Sequence, residues 1–314
     1  MPDLYAIINS QKPLTLASVP QGFTPLLLAD LARAATARTL FVAADDAAMR
    51  AVADAVPFFA PELEILQFPA WDCLPYDRAS PSLAITSQRM SALQALQQPV
   101  KGKQLVLTTI GAVIQRVVTP FRIRQTGERL AAGKSISRER MAELLISNGY
   151  FRVDTVSESG EFAMRGGIVD IAPAGSEHGL RLDFFGDEIE TIRQFDLQSQ
   201  RTIGAVDHFD ILPAVEALMD ADSIKRFRTS YREHFGATAT GDPLYQAVSE
   251  GRRLSGMDHW LPLFEERMVT IFDHIGENVL VIRDASTPAH KRFSLLVFHF
   301  SLKIVFHYSL LVFH

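Results

Sequence analysis

Arg165, Arg181, Asp183 and Phe185 gather guanidinium, carboxylate and aromatic groups into one short stretch, RGGIVDIAPAGSEHGLRLDFFGDEIETIR, residues 165–193. From Leu180 to Phe185 the even positions are all apolar, and the odd positions hold Arg181, Asp183 and Phe185. Side chains of a strand alternate between its faces, so a strand here buries Leu180, Leu182 and Phe184 and turns the other three outward. A phenylalanine on a charged, outward face has no packing role there. Aromatic rings clustered with arginines are the material of protein-binding hot spots. The chemistry this predicts is recognition of another protein. A competing reading pairs Arg165 and Arg181 with Asp183 or Glu161 across strands, an arrangement of little worth at a surface. The outward ring favours docking.

Bond-making chemistry finds little support. Gly133-Lys134-Ser135 has the ending of a phosphate loop, but Gly127 stands one position too far upstream and no buried strand leads into it. A solvated turn is expected there. The histidines ahead of residue 291 (178, 208, 234, 259, 274 and 290) are scattered, without metal-ligand spacing. Asp187, Glu188 and Glu190 resemble an acidic pair but sit where a hairpin rim is expected. Cys73, the single cysteine, stands among Trp71, Leu74 and Pro75 and reads as a structural thiol. No nucleophile–base–acid arrangement has a local signature, so no catalytic residue, metal or cofactor is expected in this chain.

The elements that must position the 165–193 stretch follow from its flanks. Short apolar runs at Thr39–Ala44, Leu63–Phe68 and Leu105–Thr109 alternate with helical stretches, one opening at Asp45-Asp46 and one spaced by Ile85, Arg89, Leu93 and Leu96. Strands apolar throughout and separated by helices imply a parallel sheet covered on both faces. Residues 1–124 are therefore read as the first half of an α/β domain. A helix at 137–147 and an antiparallel meander, with Arg165-Gly166-Gly167 opening its first strand and Gly186-Asp187 turning the hairpin, make 125–208 an α+β insert. Helices at 223–235, 243–251 and 261–275, then a buried strand at 279–283, make 209–284 the second half of the α/β domain. Residues 285–314 write one unit three times (FSLLVFH, FSLKIVFH, YSLLVFH) and form an aberrant repetitive tail. A membrane span is the rival for that tail, burdened by Lys303 and the histidines inside it.

Composition bounds the rest. The 314 residues suffice for two or three domains, and 31 Lys plus Arg against 36 Asp plus Glu give a formal charge of −5. That balance argues against a protein built to coat nucleic acid, though not against a local basic strip. One cysteine fits a reducing cytosol. The first residues lack a secretory leader pattern, and nothing before residue 290 is apolar enough to span a bilayer.

RGGIVDIAP, RLDFFGDEIE and FDLQSQRT resemble domain 2 of the excision-repair helicase UvrB, and more closely the corresponding domain of the bacterial transcription-repair coupling factors. FPAWDCLPYDRASPS (68–82) and EGRRLSGMDHWLPLF (250–264) extend the resemblance over residues 1–284. It implies a degenerate helicase-like α/β domain, similar to UvrB domain 1, interrupted by a UvrB-domain-2-like α+β insert. It also places the phosphate loop at Val19–Pro25, which has one glycine and no lysine, so ATP hydrolysis is not expected there. In the family the domain-2 sheet docks the damage sensor UvrA, and Arg165, Arg181 and Phe185 fall on that surface. RNA polymerase, DNA, ATP and Mg belong by resemblance to further parts of the family's longer protein. The chain then reads as a cytoplasmic, motorless UvrA-recruiting module. Its rivals are a UvrB-like ATP-dependent damage-verifying helicase and a truncated remnant without a partner. Trp71, Arg78 and Arg89 remain open between nucleic-acid contact and packing against a neighbouring domain.

Overall fold

Thr39–Ala43 and Gln104–Thr109 are buried at every position. A strand covered on both sides must lie inside a sheet with layers above and below it. The computed structural model describes residues 4–10, 14–16, 19–20, 22–35, 38–75, 77–236, 241–276, 279–283 and 310–313, and in it these two strands are central. The sheet runs Leu14–Leu16, Leu310–Phe313, Leu280–Arg283, Thr39–Ala43, Gln104–Thr109, Glu64–Phe68. Its last four strands are parallel, and Leu310–Phe313 pairs antiparallel on both sides. Asp45 caps the helix Asp46–Phe59 by accepting from the Ala48 N–H at 2.8 Å. That helix and Thr24–Ala34 bury Met49, Val52, Leu27 and Leu31 against Phe41, Leu105 and Leu107.

The second sheet is antiparallel except at one edge, in the order Thr202–Ala205, Glu188–Asp196, His178–Phe185, Ile168–Ile171, Glu161–Arg165, Phe151–Arg152. Its inner face packs Phe162, Val169, Leu180, Leu182 and Ile192 on Met141 and Leu145 of the Ser137-capped helix Arg138–Ser147. Arg165 closes the first strand rather than opening it. Gly166 at φ 57° and Gly167 form the turn, because a chain reversing in two residues needs a left-handed position that glycine occupies without strain.

Contacts divide the chain into Met1–Ala70, Ala95–Val117, Val269–His314 and, separately, Trp71–Gln94, Val118–Met268. The boundary expected at 209 therefore moves. The helices Ala221–Phe235 and Pro243–Ser249 find their apolar partners in each other, through Phe227, Tyr231, Tyr245 and Phe264, and stay with the antiparallel sheet. The chain rejoins the parallel sheet at Leu280–Arg283. The helix expected over 261–275 is two short ones, Leu261–Phe264 and Phe272–Ile275. Between them Val269 exchanges two 2.9 Å backbone hydrogen bonds with Val117, a ladder incompatible with helix. The repetitive tail lies outside the described residues up to 309. Among the described residues no helix is long and apolar enough to cross a membrane.

Candidate functional site

The strand His178–Phe185 alternates as its sequence requires, with Leu180 and Leu182 buried and Arg181 and Asp183 on the other face. Phe185 ends the strand 80% exposed, where Gly186 (φ 61°) begins the turn. Across the sheet Arg181 stands opposite Asp170, whose carboxylate is 1% exposed. Oδ1 of Asp170 accepts from Arg181 Nε at 2.7 Å, and Oδ2 accepts from Arg181 Nη2 at 3.0 Å and Arg165 Nη2 at 2.7 Å. The carboxylate raises the Arg181 guanidinium above its ordinary pKa, chiefly through these hydrogen bonds. Arg181 also lies 4.9 Å from the centre of the buried Phe195 ring. That ring fits because residue 179 is glycine: a Cβ there would meet Phe195 Cζ at 2.2 Å. Arg165 and Arg181 thus share one carboxylate, and Phe185 ends the strand that carries Arg181.

The partners differ from those expected. Asp183 pairs with Arg193, and Glu161 accepts from the N–H groups of Ser157 and Glu158. Neither holds Arg165 or Arg181; Asp170 does. The residues that sequence reasoning missed here are Asp170 and Arg193. Alternation in Ile168–Ile171 carried the signal for Asp170, since Val169 and Ile171 point inward and Asp170 must then point out.

Trp71, Arg78 and Arg89 are not one surface. Arg89 is fully buried and ion-paired with Glu216, Nε to Oε1 at 2.6 Å and Nη2 to Oε2 at 3.3 Å. A guanidinium without exposed surface cannot meet a phosphate, so the nucleic-acid reading of Arg89 is corrected. Trp71 donates its indole N–H to the same Glu216 at 2.7 Å, with Arg89 5.9 Å from its ring centre and His259 edge-on at 5.7 Å. The ring is committed to this cluster. Arg78 is exposed, on the loop whose backbone abuts Gly256.

Elsewhere the residues singled out in the sequence are engaged in contacts within the chain. Lys134 gives its ammonium to Glu128 at 2.7 Å and to the Arg129 carbonyl at 2.8 Å. Cys73 lies 3.9 Å from His259, and burial followed by Asp72, Asp258 and Asp77 pushes its thiol pKa up, away from the thiolate. No group of His, Cys, Asp or Glu among the described residues is arranged to hold a metal. At Val19–Pro25, Gly22 (φ 91°) leads into the helix Thr24–Ala34 behind Phe23, with no lysine to neutralise a phosphate.

Two substitutions measure these clusters. Glu216→Ala strands Arg89 in the interior and removes the Trp71 acceptor, so urea denaturation should show a loss of about 3–5 kcal/mol. Asp170→Asn leaves two guanidinium groups around a neutral amide. The expected loss is about 1–3 kcal/mol, discounted for the exposure of Arg165; an unchanged denaturation midpoint would show that the arginines are held without it.

The UvrB interaction domain model matches residues 129–216, which include the sheet bearing Phe185 and end at Glu216. The transcription-repair-coupling factor of Haemophilus influenzae is 39% identical over 221 residues, covering 70% of this chain and 19% of that protein. Those of Escherichia coli (33% over 268 residues, 84% and 23%) and Myxococcus xanthus (34% over 271 residues, 80% and 22%) are also similar. The chain therefore spans about a fifth of the length of these relatives. Similarity on this scale, running through the parallel sheet as well as the matched domain, makes the chain a member of the transcription-repair-coupling factor family.

Proposed function

We propose that the antiparallel sheet docks UvrA, so that the chain recruits the damage sensor for transcription-coupled excision repair. The observation that carries this reading is Phe185, 80% exposed at the end of a strand whose next outward-facing arginine is already fixed by Asp170. Exposing a large ring has no stabilising role in the isolated chain. Burying it in a partner recovers about 1.5–3 kcal/mol. Arginines immobilised beforehand lose less conformational freedom on binding, which favours affinity. The match to a UvrB interaction domain supports the same partner, as does the resemblance of RLDFFGDEIE to the domain-2 strand.

The chain acts in this proposal as a cytoplasmic binding module and not as an enzyme. Its Val19–Pro25 loop lacks the lysine and the run of small residues that cradle a triphosphate. Nucleotide-driven movement, and engagement of RNA polymerase and DNA, would fall to the parts of the longer relatives beyond the fifth matched here.

Phe185→Ala is expected to weaken UvrA binding about 30-fold or more in isothermal titration, with the melting temperature unchanged because the ring is outside the core. Arg181→Ala should weaken binding too but also lower the melting temperature, since it leaves the buried Asp170 carboxylate with Arg165 alone. Wild-type affinity in Phe185→Ala would remove the docking reading.

A further inference from the structure

The helix Ala221–Phe235 packs by one face. Asp220 caps it by accepting from the Ser223 N–H at 2.9 Å, and Phe227 and Tyr231 bury its apolar side against Tyr245 and Phe264. At 3.6 residues per turn, Lys225, Arg228 and Arg232 fall within about 60° of one another on the flank beside that face. All three are exposed. Their spacings, i to i+3 and then i to i+4, set like charges next to each other, an arrangement that weakens a helix. No acid relieves it. Among the described residues none of the three forms an ion pair, and Arg232 donates its Nε–H to the backbone carbonyl of Arg228 at 3.1 Å. Nearby acids are used elsewhere: Asp220 takes Arg122, and Glu266 lies 3.8 Å from Arg226. Asp222 and Glu233 stand on the next flank of the helix. A chain whose formal charge is −5 thus concentrates three cations in one row.

We propose that this row is a contact site for the phosphate backbone of duplex DNA, held without regard to sequence. It is independent of the docking of UvrA, and it adds a passive grip to whatever DNA contacts the longer relatives make elsewhere. Two features select a polyphosphate over an acidic protein. From Lys225 to Arg232 the helix rises about 10 Å, and one strand of a duplex presents a phosphate roughly every 3.4 Å along its axis, so three cations meet about three successive charges. The row also lacks an apolar anchor. Ala221 and Thr229 are its uncharged neighbours, and the ring at its end, Phe235, packs on Tyr231 and Trp260 with centres 4.5 and 5.5 Å away. Protein interfaces are centred on such anchors, whereas phosphate contacts need charge alone. The sheet face at Phe185 has the opposite make-up, an exposed ring near arginines already paired with Asp170.

The test uses the whole chain and a fluorescein-labelled duplex of arbitrary sequence, followed by fluorescence anisotropy at several salt concentrations. Release of counterions from three phosphates should give a slope of log K against log salt of about −2.7, a loss of about 40-fold between roughly 50 and 200 mM. Each of Lys225→Ala, Arg228→Ala and Arg232→Ala should weaken binding and bring that slope about one unit closer to zero, whatever the duplex sequence. The triple alanine variant should lose duplex binding. Its melting temperature should hold or rise, because alanine is the best helix former and two like-charge pairs are gone. Binding with the same affinity and slope in the triple variant as in wild type would overturn the proposal. So would absence of duplex binding at the lowest salt; poly-glutamate held by the same three residues would then give the row to an acidic protein instead.

Discussion

A carboxylate withdrawn from water must be neutralised locally, and Asp170 shows how one such group organises a surface. It takes up guanidinium groups from two strands, one on either side of its own. Arg181 cannot swing away without abandoning both Asp170 and the Phe195 ring, and Phe195 holds its place because Gly179 leaves room for it. The outer face is thereby given a fixed arrangement of charge. Phe185 stands at its end, and Arg193 beside it is tied by one nitrogen to Asp183. Rigid charge around an exposed ring is what separates this face from an ordinary solvated sheet, on which arginines would sample many rotamers.

Much of this was legible in the sequence because strands write their two faces as alternate letters. Leu180–Phe185 declared which residues point out, and the buried runs at 39–43 and 104–109 declared a covered parallel sheet. The partners of the arginines were harder to read. Asp170, Asp183 and Glu161 are equivalent as letters, and only the register Asp170↔Arg181 selects among them. Register is a property of paired strands and is set by turns and packing at a distance. The placement of 209–268 was likewise hidden, because an aromatic cluster among Phe227, Tyr231, Tyr245 and Phe264 decides it.

Arg89 stayed open for a different reason. Its spacing with Ile85 and Leu93 put it on the apolar face of the helix Leu83–Leu96, yet an arginine in isolation suggests solvent and phosphate. The counter-signal lay far away, in Glu216, set among the apolar residues of AVEAL. Charges in apolar surroundings can be reconciled only as a pair. Neither member reveals the other without the fold.

That pair also governs how the matched domain could be made portable. Residues 129–216 carry Glu216 at their last position, whereas its counterpart Arg89 and the Trp71 indole belong to a loop and helix encoded before them. A recombinant cassette cut at those limits would inherit one half of a buried ion pair and leave the other behind. Grafting the antiparallel sheet onto another scaffold therefore calls for residues 71–94 as well, a non-contiguous splice that a linear map of the gene would not suggest.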